Sequence, residues 1–176
     1  MAKADWDITG AGGIAVVDEG GSMRCQLSGT KHMLWNGRDD LEDSETIADI
    51  RMSTNNTNAR GGMLLRSNAT IGTFYRCRIY GANPNRTYYI DRVVNGVSTQ
   101  LAAIASSQPY YVYTRTRFRV DGFQLSIEEY LSGAWNLVTM VEDTNHAILS
   151  GYAGLTGISV NSSYNVRFDN IEIGEV

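Results

Sequence analysis

Proline, cysteine and histidine are scarce, with two of each in 176 residues. Two histidines, His32 and His146, cannot build a three-histidine metal centre, and neither stands at a metal-ligand spacing. His146 reads as a loop residue. No Gly-x-Ser-x-Gly elbow, phosphate-binding glycine loop or local cysteine–histidine pairing occurs, which removes the best-marked hydrolase and nucleotide-dependent classes. There is no run of 18 apolar residues that would cross a membrane as a helix. The opening MAKADWDITGAGG carries no apolar stretch of signal-peptide length, so synthesis and folding in a cytoplasm are expected. Excess positive charge is lacking too: the formal net charge of −4 offers no overall attraction to nucleic acid or an anionic membrane, so any basic patch is local. Cys25 and Cys77 lie in apolar strand-like contexts, MRCQL and FYRCRIY, and read as buried thiols. The sequons at Asn55, Asn68, Asn85 and Asn161 are expected to carry no glycan without an export signal.

Turn and strand formers are abundant. Eighteen glycines and ten tyrosines accompany many threonines and asparagines, and 43% of residues are hydrophobic. That composition suits short strands joined by tight turns. Period-2 alternation runs through most of the chain. In ETIADIRM, Ala48, Ile50 and Met52 face one way while Ile47, Asp49 and Arg51 face the other. Asn95-Gly96, Asp121-Gly122 and Ser132-Gly133 each separate two such runs and predict hairpins. SMRCQL and KHMLW read as a further hairpin around Ser28-Gly29-Thr30. No 3.6-period apolar stripe is long enough for a packed helix. About a dozen strands at short spacing, with no linker or composition shift, predict one all-β domain over residues 1–176: an antiparallel two-sheet jelly-roll sandwich.

Two strands carry the candidate binding residues. The run from Tyr110 to Val120 places Val112, Thr114, Thr116, Phe118 and Val120 on a core face, and Tyr111, Tyr113, Arg115, Arg117 and Arg119 on the other. In TFYRCRIYG, Tyr75, Cys77 and Ile79 take the core, leaving Phe74, Arg76, Arg78 and Tyr80 outside. If both strands share a sheet, Arg76, Arg78, Tyr80, Tyr111, Tyr113, Arg115 and Arg117 line one broad surface. Planar rings and guanidiniums together suit sugar stacking, bidentate contact with carboxylates, or a protein partner. Wet sheet faces are also often rich in Tyr, Thr and Arg for structural reasons alone. Trp35 and Trp135 sit where strands meet loops, as sugar platforms or as covers for the core ends; Trp6 invites the same two readings.

The succession GGMLLRSN, FYRCRIYG, YYIDRVVNG, LAAIA, YYVYTRTRFRVDGFQLSIEEYLSGAW, GYAGLTG and VRFDNIEIGEV resembles the concanavalin-like jelly rolls, the superfamily of legume lectins, laminin-G-like modules and laminarinase-like glucanases. The likeness spans roughly Arg60 to Ile173 and implies fold rather than function. The glucanases of that superfamily imply closely spaced carboxylates on one strand face. The run from Asp39 to Asp49 does not reproduce their pattern, and Glu128 and Glu129 point to opposite faces, although Glu45 and Glu128 remain the acids a hydrolase would use. Loop oxygens on Asp39, Asp40, Glu42 and Asp43, or on Asp143 with Asn145, could hold calcium, but ordinary surface loops look the same. No metal or cofactor is expected. A non-enzymatic binding or structural module follows. A lone jelly roll without an export signal resembles a phage head decoration (cement) protein or a small tail-associated protein. That resemblance implies a virion location, a major capsid or other virion protein as partner, a cell-surface glycan as a further ligand, and a homo-oligomer, with a trimer favoured. A bacterial carbohydrate-binding protein, or a glycan hydrolase of the same fold, is the alternative.

Overall fold

The computed structural model describes residues 6–9, 14–19, 22–27, 31–52, 59–81, 84–145, 148–159 and 166–176. Fourteen strands, numbered in chain order, form two antiparallel sheets, and no helix occurs among the described residues. The first sheet runs β1 (Trp6–Thr9), β4 (Lys31–Trp35), β13 (Tyr152–Ser159), β6 (Ala59–Ser67), β7 (Phe74–Gly81), β8 (Asn85–Val94), β9 (Val97–Pro109). The second runs β12 (Ala134–Glu142), β11 (Gln124–Leu131), β10 (Thr114–Asp121), β5 (Ser44–Met52), β14 (Val166–Glu175), β3 (Ser22–Leu27), β2 (Ile14–Glu19). The fold is the expected all-β jelly-roll sandwich.

The expected alternation builds the core. Ala48, Ile50 and Met52 from β5, Phe118 and Val120 from β10, and Leu125 and Ile127 from β11 meet Met63, Tyr75, Cys77, Ile79, Tyr88 and Ile90 from the first sheet. All are buried. Cys77 is a free thiol, and burial pushes its pKa well up, so it behaves as a small apolar side chain. Asn95 and Gly96 join β8 to β9 with φ of 51° and 78°, and Ser132 and Gly133 join β11 to β12 with φ of 54° and 85°. Positive φ at both positions is what a two-residue hairpin turn requires. Trp35 packs against the core, and a Cβ on Gly37 would fall 2.1 Å from its ring, so the indole lies over the turn as a core cover. The side chain of Trp6 and all of His146 lie outside the described residues.

Two expectations change. SMRCQL and KHMLW are not a hairpin: β3 pairs with β2 and β14 in the second sheet, while β4 pairs with β1 and β13 in the first. The strand expected to open at Tyr110 begins at Thr114 instead. The chain must cross there from β9 in one sheet to β10 in the other, and it turns to do so. Arg86, fully buried, holds that turn, donating from Nη2 to the carbonyls of Pro109 (2.8 Å) and Val112 (2.7 Å). Val112, expected in the core, is therefore exposed. Arg66 ties loops in the same way, donating to the carbonyls of Glu42 (2.7 Å), Ile148 (2.8 Å) and Gly122 (2.6 Å). Such forks satisfy several buried carbonyls at once.

Candidate functional site

The seven residues expected on one surface lie on two. β7 belongs to the first sheet and β10 to the second, so Arg76, Arg78 and Tyr80 face away from Arg115 and Arg117 across the core. Tyr111 and Tyr113 precede β10; Tyr111 is exposed and stands edge-on to Tyr110 at 5.2 Å. The two faces differ in chemistry.

On the second sheet the cations are matched by acids. Arg115 donates to Glu172 (2.6 Å) and lies 3.5 Å from Asp49. Arg117 pairs with Glu128, which stands directly opposite it on β11, and lies 3.7 Å from Glu45. Its guanidinium also covers the Trp135 ring at 4.4 Å, and Tyr130 meets that ring edge-on at 5.3 Å. Arg119 pairs with Asp121 at 2.7 Å. The indole and the arginines of this face thus already engage one another. The two acids a hydrolase reading needs, Glu45 and Glu128, flank one guanidinium.

Three rows cross the outer face of the first sheet. His32, Thr156, Gly62, Arg78, Tyr89 and Ala103 stand opposite one another in succession from β4 to β9. Beside them run Leu34, Gly154, Leu64, Arg76, Asp91 and Gln100, and on the other flank Arg60, Tyr80, Thr87 and Ala105. Glycine at 62 is required by close approach: a Cβ there would lie 1.8 Å from the carbonyl oxygen of Cys77. One end of the face is covered, because Leu34, Leu64, Phe74 and Val93 form a small buried cluster with Ile71 and Tyr152. Phe74 is thus on its expected face but under a loop.

Asp91 organises this patch. It is fully buried, and its Oδ2 accepts from Arg76 Nε (3.1 Å) and Nη2 (2.8 Å) and from Arg78 Nε (2.7 Å), while Oδ1 accepts from Arg78 Nη2 (3.0 Å). Arg78 also lies against two phenol rings, 4.5 Å from the centroid of Tyr89 and 5.0 Å from that of Tyr80, and its Nη1 donates to the Tyr80 hydroxyl. The two rings meet edge-on at 5.0 Å, and Arg60 covers the other flank of Tyr80 at 4.8 Å. Burial works against the Arg78 charge, but the hydrogen bonds and charge of Asp91 outweigh it and raise its pKa. His32 lies at the far side of the row, its pKa lowered by burial first and by the Arg76 charge second.

Chemically, two guanidiniums share one carboxylate here, so the cluster of Arg76, Arg78 and Asp91 keeps one unit of positive charge. Its planes are fixed before any ligand arrives, which lowers the ordering cost of binding. Asp91, Tyr89 and Arg60 are absent from the sequence-derived set. An acid inside the apolar and aromatic run YYIDRVV is the signal that marks Asp91, and the hairpin register is what brings it opposite Arg76.

Three of the loop acids weighed as calcium ligands serve other contacts. Asp40 pairs with Arg38, Asp43 accepts from the Gly122 amide at 2.7 Å and pairs with Arg66, and Asp143 accepts from the Tyr75 hydroxyl at 2.7 Å.

No protein-family model matches the chain, and no curated protein does. Solved structures do. A carbohydrate-binding module, CBM66 from Bacillus subtilis, superposes with a TM-score of 0.73 at 18% identity, over 98% of this chain and 96% of that one. A legume lectin-like domain from Entamoeba histolytica gives 0.65 at 16% identity, over 98% and 91%. GH43B of a Bacteroides ovatus xyloglucan locus gives 0.68 at 11% identity, and there this whole chain spans only 38% of the other. At these identities the likeness establishes a lectin-like jelly-roll fold.

Proposed function

We propose that this chain is a non-catalytic carbohydrate-binding module whose glycan lies on the outer face of the first sheet, across Arg78, Tyr80 and Tyr89. The observation that carries the reading is the Arg78 guanidinium, held along its Nε–Nη2 edge by buried Asp91 and set against two phenol rings. Arg76 Nη1, the remaining N–H of Arg78 Nη1 and the phenol hydroxyls supply donors for sugar oxygens. The surplus positive charge favours glycans bearing carboxylates over neutral ones. A carbohydrate-binding module among the structural neighbours supports this reading, as do the Arg117 contacts that occupy Glu45 and Glu128. None of the three neighbours named above is described as a virion protein, so the capsid-decoration reading rests on its resemblance alone, and a bacterial binding protein fits the fold as well.

The test is a glycan array probed with the native chain, with Arg78→Ala and with Tyr89→Ala. Binding that disappears in both variants supports the assignment; native-like binding by both removes it.

A further inference from the structure

A recess of the sandwich lies away from that face. Between β9, the last strand of the first sheet, and β12, the last strand of the second, lies a cleft of about 370 Å³, lined by Ile104, Ser107, Glu129, Asn136, Leu137 and Val138 among others. Glu129 continues the core-facing series Leu125, Ile127 on β11, and only 2% of it is exposed. Its Oε1 accepts from the Tyr88 hydroxyl (2.7 Å) and the Ser106 hydroxyl (2.8 Å). Its Oε2 receives no hydrogen bond from the described residues, and Glu129 is part of the cleft lining. No cation among the described residues pairs with this carboxylate.

Most of the cleft's side-chain donors are already engaged. Burial raises the Tyr88 pKa, so its hydroxyl keeps its proton and gives it to Glu129. Ser106 donates to Glu129 and accepts from the Gln108 amide at 2.9 Å. Asn136 Nδ2 donates to the carbonyls of Leu131 (3.3 Å) and Ala134 (2.9 Å), which leaves its Oδ1 as an acceptor. Among the side chains lining the cleft, only the Ser107 hydroxyl retains a proton to offer. Apart from Glu129 the lining is uncharged: β9 has no charged residue, β12 has Glu142 alone, and Ile104, Leu137 and Val138 supply aliphatic surface.

The geometry points to a binding site for an organic monocation, an alkylammonium or alkylguanidinium group whose N–H donors meet Glu129 Oε2 and Asn136 Oδ1 while its alkyl stem lies on Ile104, Leu137 and Val138. A nearly buried carboxylate without a cation is costly, and a cation brought into low-dielectric surroundings is screened less than at the surface. A sugar fits less well, because no aromatic side chain among the described residues lines the cleft for its ring to stack on. The site is separate from the proposed glycan face and does not depend on it. The same group reaches the cleft either as a free amine or as a lysine side chain.

Backbone-amide NMR titration with n-butylammonium chloride, with n-pentanol as a neutral analogue and with an acetyl-Gly-Lys-Gly-amide peptide tests the assignment. We expect saturable shifts at Ser106, Asn136 and Leu137 with n-butylammonium and none with n-pentanol. Glu129→Gln is expected to weaken binding about tenfold or more through loss of one charge-assisted contact. Because Glu129 is buried, Leu137→Arg at an exposed wall position is the second variant; it sets a cation over the cleft and is expected to abolish binding with the fold intact. Tighter binding of the peptide than of the amine identifies a protein side chain as the source, and the reverse identifies a free amine. Equal shifts with n-pentanol, no saturation, or unchanged binding in both variants overturns the assignment.

Discussion

Replacing Asp91 by Asn removes the carboxylate that Arg76 and Arg78 share while keeping side-chain volume, and the structure gives the size of the effect. The carboxylate is 1% exposed and receives four N–H contacts from two guanidiniums that are themselves only 12% and 17% exposed. An amide can accept on its oxygen alone, and its nitrogen would face arginine donors. Removing one partner from a buried ion pair costs about 3–5 kcal/mol, and the low end applies here because both arginines reach some water. Each kcal/mol lowers Tm by about 2–4 °C in a domain of this size, so a loss of about 3 kcal/mol corresponds to roughly 6–12 °C. Urea unfolding followed by far-ultraviolet circular dichroism is the assay, with an unchanged m-value showing that the folded state is the same. Adding Arg76→Met to Asp91→Asn is expected to recover part of the loss, because one of the two uncompensated cations is then gone. A change below about 1 kcal/mol in the single variant, or a double variant less stable than the single, would refute the reasoning, since a surface pair is worth no more than that.

Gly62→Ala is expected to cost about 1–3 kcal/mol by overpacking, because the new methyl meets the backbone carbonyl of Cys77 at 1.8 Å and a backbone oxygen cannot step aside; thermal denaturation measures it. His32 titrates below its ordinary value, so the unfolded chain binds its proton first and stability falls as pH drops below about 6.5 toward the folded pKa. Native stability minus that of His32→Gln, followed from about pH 7.5 to 5.5, should therefore decline, and a flat difference contradicts the shift. Arg115→Ala with Arg117→Ala removes partly exposed pairs and the cover on Trp135, for an expected loss of about 1–2 kcal/mol with glycan binding intact.

Much of the fold is legible in the sequence because alternation and turn chemistry are local. Ala48, Ile50 and Met52, or Tyr75, Cys77 and Ile79, reveal their buried face from spacing alone, and Asn95-Gly96 fixes its hairpin by the positive φ it permits. Which sheet a strand joins is not local. SMRCQL and KHMLW look like neighbours, yet they part to different sheets, and the two arginine strands that share a pattern end on opposite faces. The candidate site suffered from the same limit. Arg76, Arg78 and Tyr80 are visible as an outer series, but Asp91 and Tyr89 join them only through the β7–β8 register, and Arg60 only through β6. Glu129 sits at a core position in FQLSIEEY, and the cleft that gives it meaning needs β9 and β12 side by side.

Isothermal titration with an array-selected glycan, comparing Arg78→Ala with Arg115→Ala/Arg117→Ala, bears most directly on where the ligand sits. We expect the Arg78 change to weaken binding by about tenfold or more, as loss of a charge-assisted contact of roughly 1.5–3 kcal/mol requires, and the paired change on the other sheet to leave it unaltered. Weakened binding in Arg115→Ala/Arg117→Ala with native affinity in Arg78→Ala would place the ligand on the second sheet and contradict the assignment.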